Sequence, residues 1–152
     1  MYENMLVCLD GSSLAEQILP YAEAQARCFH AKITIIQVAI SPIPKIVAGG
    51  STYKEIQEIE KKSQMLVQTA TEYLNRVADT MKKKGMEVAV AVVEAPSAGE
   101  GIINYARGNN IDLIAISSHG RSGLRKILLG SVAEHVFKAA ALPVLMFKPN
   151  KH

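Results

Sequence analysis

Ile111-Asp-Leu-Ile-Ala-Ile-Ser-Ser-His-Gly-Arg-Ser-Gly-Leu-Arg-Lys-Ile-Leu-Leu-Gly-Ser131 is the stretch from which the fold can be read. It opens as an apolar run, Ile111 to Ile116, preceded by the turn residues Asn109 and Asn110. A short continuous apolar run of this kind predicts a strand buried on both faces. The chain then becomes polar and glycine-punctuated at Gly120 and Gly123, and closes on Gly130-Ser131. There Val132, Val136 and Ala140 begin a helical period. A strand that passes through such a loop into a helix start aims unpaired backbone N–H groups at one small volume. Those amides and the helix dipole both favour an anion, of which phosphate is the commonest.

Outward from this stretch, strand and helix alternate. Asn4 to Leu9 is an apolar strand ending at Asp10-Gly11-Ser12-Ser13. Ser13 with Glu16 has the spacing of a capping box, and Leu14, Ile18, Ala22, Ala26 and Phe29 share one helical face. Pro20 removes the bond back to Glu16 and is expected to bend this helix without breaking it. Lys32 to Ala39 is a β-branched strand. The long loop Ser41 to Thr52 follows, of a kind that is usually functional or mobile. Tyr53 to Lys84 repeats Ile56, Ile59, Ser63, Leu66, Ala70, Tyr73, Val77 and Met81 at helical spacing, with Gly85 as its stop. Glu87 to Val93 is a third strand. A short helix opens at Pro96-Ser97, turns Ile102, Ile103 and Ala106 inward and stops at Gly108. The chain closes with a helix over Ser131 to Ala140 and a strand over Pro143 to Phe147.

This alternation predicts one α/β domain over residues 1–149 with a short tail at 150–152. Its core is a doubly wound, five-stranded parallel sheet with helices on both faces. In the order 3-2-1-4-5, the ends of strands one and four flank the point where the order reverses, which is where such sheets bind ligands. Asp10 and the loop from Ser117 to Ser131 then face one crevice. The acidic side chain suits ribose hydroxyls or an adenine amine, opposite phosphate-binding amides.

With 49% apolar and 20% charged residues, the composition is that of an ordinary globular domain. The formal charge of +3 is scattered, apart from Lys82-Lys83-Lys84 at an expected helix end, and 5% of residues are aromatic. Nucleic-acid binding is therefore not expected. Nor is a membrane segment, because no run approaches the ~20 apolar residues a spanning helix needs. The first residues, Met-Tyr-Glu-Asn, lack a basic leader region. Cys8 and Cys28 have no CxxC or histidine spacing and are expected to be reduced, buried thiols of a cytoplasmic protein.

Other chemistry finds less support. Gly130-Ser131 serves equally as a plain helix cap, and Asp10 as a cap of the first helix. His119 stands beside Ser118, but neighbours on an extended loop are expected to point apart, and no carboxylate is evident to orient the ring. His30, His135 and His152 share no spacing. Arg121 and Arg125 are placed either to reach a phosphate or simply to be exposed. There is no Gly-x4-Gly-Lys-Ser/Thr, and Gly120-Arg-Ser-Gly123 is not a hydrolase elbow.

The whole chain resembles the universal stress protein family, whose nucleotide-binding members carry Gly-x2-Gly-x9-Gly-Ser/Thr after the fourth strand. Gly120 is followed by nine residues and then Gly130-Ser131. Val7-Cys8-Leu9-Asp10-Gly11-Ser12 and Ala141-Leu142-Pro143-Val144-Leu145 also look like the family. The first glycine of the motif is replaced by Ser117, where a side chain is expected to crowd ribose and phosphates and to weaken or tune binding. The resemblance implies an adenine nucleotide alpha-hydrolase-like fold that binds ATP, with Mg or Mn carried on the phosphates. Asp10 would contact the adenosine, and Val38 would meet adenine through backbone and packing. Ile116 and Ser117 would line the ribose side. Gly120, Gly130, Ser131 and Val132 would hold the phosphates, with Arg121 in reach.

The function so implied is that of a regulatory, stress-responsive nucleotide module with little or no turnover, at most a slow ATPase. The alternative is a nucleotide-free dimeric signalling or interaction protein of the same fold. The apolar edge strand Val144 to Phe147 is a pairing hazard if uncovered, and the resemblance implies a homodimer through it.

Overall fold

The computed structural model describes residues 1–40, 52–119 and 129–150. In chain order its elements are β1 (Asn4–Cys8), α1 (Ser13–Glu16), α2 (Leu19–Phe29), β2 (Lys32–Ile40), α3 (Tyr53–Lys83), β3 (Val88–Ala95), α4 (Ala98–Gly108), β4 (Leu113–Ser117), α5 (Ser131–Ala139) and β5 (Val144–Phe147). All strand pairs are parallel, and the sheet runs β3-β2-β1-β4-β5, the order the sequence predicts.

The central strands β1 and β4 are apolar from Met5 to Cys8 and from Leu113 to Ile116 because both faces are covered. Met5, Val7, Leu9, Ile33, Ile35 and Ala115 pack on one face against Ala22 and Ala26 of α2 and Leu74, Ala78 and Met81 of α3. Leu6, Cys8, Ile36, Ile114 and Ile116 pack on the other against Ile102, Ile103 and Ala106 of α4 and Ala133 and Val136 of α5. The register sets Cys8 level with Ile36 on one side and Ile116 on the other. The carboxyl ends of β1, β2 and β4 therefore open together at the reversal of strand order. Among the described residues, no helix is long and apolar enough to cross a membrane.

The first helical segment departs from expectation in two ways. It is broken and not bent: α1 stops at Glu16, and α2 starts at Leu19 with Pro20 in its first turn. A proline N–H is not needed in a first turn, whereas inside one continuous helix it would orphan the Glu16 carbonyl. The cap is also displaced. Ser12, not Ser13, is the N-cap, its Oγ accepting from the Ala15 N–H at 3.1 Å. Glu16 instead accepts a hydrogen bond from the Tyr73 hydroxyl at 2.9 Å, which ties α1 to α3.

Thr52 and Glu55 form a reciprocal capping box that starts α3. The helix ends before Gly85, which adopts φ +81°. Of the apolar positions expected inward on α3, Ala70 and Met81 are buried, but Leu66 is 51% exposed. None of residues 53–62 is buried, so the inward stripe belongs to the C-terminal part of the helix.

Candidate functional site

The βα turn after β1 is built by Asp10. Its Oδ1 accepts from the Ser12 N–H at 2.9 Å and from the Ser12 hydroxyl at 2.6 Å, while Gly11 takes φ +81°. An aspartate that bonds its own backbone two residues on is a self-supporting turn. It sets Ser12 as the cap of α1 and leaves the carboxylate at the mouth of the sheet. Asp10, Val38, Ile116, Ser117, Gly130, Ser131 and Val132 all line one cavity of about 320 Å³ at the carboxyl ends of the strands. Gly120, Arg121 and Arg125 lie outside the described residues, as does the loop 41–51.

The far wall of the cavity is the start of α5. Gly130 is its N-cap (φ −69°, ψ 151°) and makes no side-chain cap bond. Its N–H donates to the Ser118 carbonyl at 2.7 Å, and its carbonyl accepts from Glu134. By helix geometry the amides of Ser131, Val132 and Ala133 have no acceptor within the helix. All three residues line the cavity. A glycine stands here because of close approach, since a β-carbon at Gly130 would lie 3.0 Å from the Ser118 carbonyl oxygen.

Ser117 is buried, and its hydroxyl donates to the His119 carbonyl at 2.8 Å and lies 3.5 Å from the Leu14 carbonyl. By alternation along β4 it shares the face of Leu113 and Ala115 and points toward α1. The hydroxyl thus fastens the loop to its own backbone and to α1. Ser118 and His119 correct one expectation. They do not point apart: Ser118 Oγ and His119 Nδ1 share a hydrogen bond of 3.0 Å, because the backbone bends at Ser118 where an extended strand was expected. Both are buried in the cavity wall. The Ser118 N–H donates to the Phe147 carbonyl at 2.7 Å, which joins the loop to β5.

Several wall residues went unremarked in the sequence. Cys8 and Ile36 follow once the register is known. Ala98 and Ile102 enter from α4. Gln37 did carry a signal, as the one amide in the apolar run of β2. It lines the cavity, and its Oε1 is buried with no hydrogen-bond partner among the described residues.

Cys28 is exposed, contrary to expectation. On α2, Ala22 and Ala26 face inward, and Cys28 lies two residues on, about 200° around the helix from Ala26. Cys8 is buried, and burial alone pushes its thiol far above the ordinary range. Brief treatment of the native protein with iodoacetamide at neutral pH is therefore expected to add one label per chain, at Cys28. Mass mapping of Cys8 as the labelled residue would contradict this placement.

Among the described residues, no group of three or more His, Cys, Asp or Glu side chains could hold a metal ion. The chemistry available is an acidic group at the end of β1, a helix N-terminus that no side chain among the described residues caps, and apolar walls from β2, β4 and α4 between them.

A cleft at the switch point of a five-stranded parallel sheet defines a doubly wound α/β protein, with the cleft where such sheets bind ligands. The chain belongs to the universal stress protein family, which it matches over residues 1–148. It is 32% identical over 152 residues to universal stress protein MJ0531 of Methanocaldococcus jannaschii, covering 99% of this chain and 85% of that protein. The structure of hypothetical protein MJ0577, from the same organism, superposes with a TM-score of 0.84 at 26% identity, covering 100% of this chain and 99% of that one. A universal stress protein family protein from Arabidopsis thaliana, solved with AMP bound, shares the fold at a TM-score of 0.67 and 14% identity, covering 97% of this chain and 92% of that one.

Proposed function

We propose that the cleft binds an adenine nucleotide, ATP in particular, and that the protein is a regulatory or sensing module of the stress response with little or no turnover. The observation that carries this reading is the uncapped start of α5 facing Asp10 across one cavity. The anion end is supplied by the amides of Ser131, Val132 and Ala133, together with the Ser131 hydroxyl. Asp10 accepts from the ribose or the adenine amine. Val38, Ile116 and Ser117 pack the nucleoside, and Gly120 and Arg121 are assigned to the phosphates from the motif. Mg or Mn arrives on the phosphates, and its role there is to neutralise their charge. AMP in the Arabidopsis relative supports the nucleotide class.

Low turnover follows from the donor set. Among the described residues, the cavity lining supplies phosphate-binding amides but no Arg or Lys to stabilise the charge that develops in phosphoryl transfer. Ser118 and His119 are the only hydroxyl–imidazole pair found in the cleft among the described residues. Mg-ATP titrated into nucleotide-stripped protein tests the reading: saturable heat near one equivalent is expected, and its absence would end the proposal. Steady ATP consumption lost in His119→Ala would instead make the protein an enzyme.

The nucleotide-free alternative rested on Ser117, and the hydroxyl's hydrogen bond to the His119 carbonyl argues against crowding. Ser117→Gly is expected not to tighten nucleotide binding and to destabilise the fold by about 1 kcal/mol through the lost hydrogen bond. Tighter binding would mean that the side chain does obstruct the ligand.

We also assign a homodimer through β5. It is the sheet edge, its four residues are apolar, and each is only half-buried. Sedimentation as a monomer at micromolar concentration would refute this. The cytoplasm is the compartment proposed, since an exposed free thiol at Cys28 beside an unpaired Cys8 suits reducing conditions.

A further inference from the structure

We propose that Gly101 is a positioning residue of the cleft, holding open the wall against which a planar base lies; the proposal rests on the nucleotide reading above. Gly101 is buried on α4, facing β2. A β-carbon built on it would lie 2.8 Å from both γ-carbons of Val38 and 3.1 Å from the β-carbon of Ala95. Neither neighbour gives way easily. Ala95 is held in β3 opposite Ile40, and Val38 is held in β2 opposite Val93. A valine branched at its β-carbon has few staggered alternatives. A methyl group at position 101 therefore has two outcomes: α4 backs away from the sheet, or Val38 rotates.

Both outcomes change the cavity, because Val38, Ala98 and Ile102 are its wall on this side. Ala98 and Ile102 sit on α4 around Gly101 itself, so a shift of the helix moves them together. Glycine disfavours a helix interior relative to alanine, and the close helix–strand contact accounts for its use here. The consequence for the ligand is specificity by thickness: a flat ring enters a slot whose width is set by how closely α4 lies on β2.

Gly99 provides a matched control on the same helix. A β-carbon there would lie 2.6 Å from Cδ2 and 2.7 Å from Cγ of the His135 ring, and 3.0 Å from the His135 β-carbon. His135 is an exposed residue of α5 whose ring can swing into solvent, which leaves only the 3.0 Å contact with its β-carbon to be relieved by a few tenths of an ångström, and neither residue lines the cavity. Gly99→Ala and Gly101→Ala make the same change in helix propensity, and only the second presses on the slot.

The test is a titration with Mg-ATP and with AMP of the wild type, Gly99→Ala, Gly101→Ala, Val38→Ala and the double variant Gly101→Ala/Val38→Ala. Thermal melts verify folding. Overpacking at the wall is expected to weaken binding by about tenfold or more in Gly101→Ala, with Gly99→Ala within about twofold of wild type. Removing the two γ-carbons that the new methyl strikes should shrink the cost of Gly101→Ala, so the double variant is expected within about twofold of Val38→Ala, which itself loses the packing of Val38 on the base. A general loss of stability would not be cured by deleting a second core group. Wild-type affinity in Gly101→Ala, or an undiminished loss when Gly101→Ala is added to Val38→Ala, would overturn the proposal. Should the wild type bind no adenine nucleotide, the nucleotide reading falls, and a crystal structure of Gly101→Ala decides the positioning claim. Val38 turned into the cavity, or α4 withdrawn from β2, supports it; both unmoved with the cavity unchanged overturns it.

Discussion

Gly130→Val is expected to reduce nucleotide affinity by about 100-fold or more, equivalent to about 3 kcal/mol, while the protein stays folded. The β-carbon enters 3.0 Å from the Ser118 carbonyl, to which the Gly130 N–H is bonded. The branched methyls then stand over the amides of Ser131 and Val132, where the anion is placed. The companion variant Gly130→Ser separates this account from simple damage. A serine at an N-cap accepts from the second or third helical amide and stabilises the helix. Here those amides belong to Val132 and Ala133, the groups assigned to phosphate. The serine β-carbon meets the same Ser118 oxygen as that of valine and offsets part of the cap's stabilisation, so Gly130→Ser should melt above Gly130→Val and still bind nucleotide more weakly than wild type. A serine variant that is more stable than Gly130→Val and yet binds weakly is not what a misfolded loop would give. Unchanged affinity in both variants, read by calorimetry, would remove α5 from the binding site.

Asp10→Ala is expected to lose about tenfold to 100-fold in affinity, the range for one or two hydrogen bonds to a charged group. Alanine also deletes the bonds to the Ser12 N–H and hydroxyl, so the turn that presents the residue loosens at the same time. Asp10→Asn divides the two effects. The asparagine carbonyl can still accept from Ser12 and keep the turn, but it lacks the charge offered to ribose hydroxyls or an adenine amine. Melting temperature should be close to wild type in the asparagine variant and lower in the alanine variant, with affinity reduced in both. If Asp10→Asn binds like wild type, Asp10 acts only through the turn.

The architecture was readable because burial on both faces leaves a strong signal. Runs such as Met5 to Leu9 and Leu113 to Ile116 are apolar at every position, and the alternation with helices leaves few topologies. The meeting of Asp10 with Gly130 and Ser131 followed from that order alone. What was illegible depended on local competition. Two serines precede α1, and which one caps it turns on Asp10 holding Ser12 from behind. A proline in a helical pattern announces a disturbance, but whether the chain bends or restarts depends on the packing of Ile18, which is fully buried between the two short helices. Cys28 counts as apolar by composition and lies on the wrong side of its helix.

The site shows the same division. Motif spacing pointed to the start of α5, whose first residues line the cavity. It did not show that the amide of Gly130 itself is committed to Ser118, or that Ser118 and His119 meet side by side. Both facts come from a bend of the backbone at Ser118, which no residue-type preference announces. Gly101 was invisible as well, since its role arises from a contact with Val38 more than sixty positions away in the chain.

The most direct test of the nucleotide site is to denature freshly purified, unstripped protein and identify what it releases by chromatography and mass spectrometry. An adenine nucleotide, ATP foremost, at close to one per chain is expected from wild type and at trace level from Gly130→Val. A protein that releases no nucleotide, and that takes up none when titrated with Mg-ATP, would contradict the assignment and leave the cleft to a different ligand.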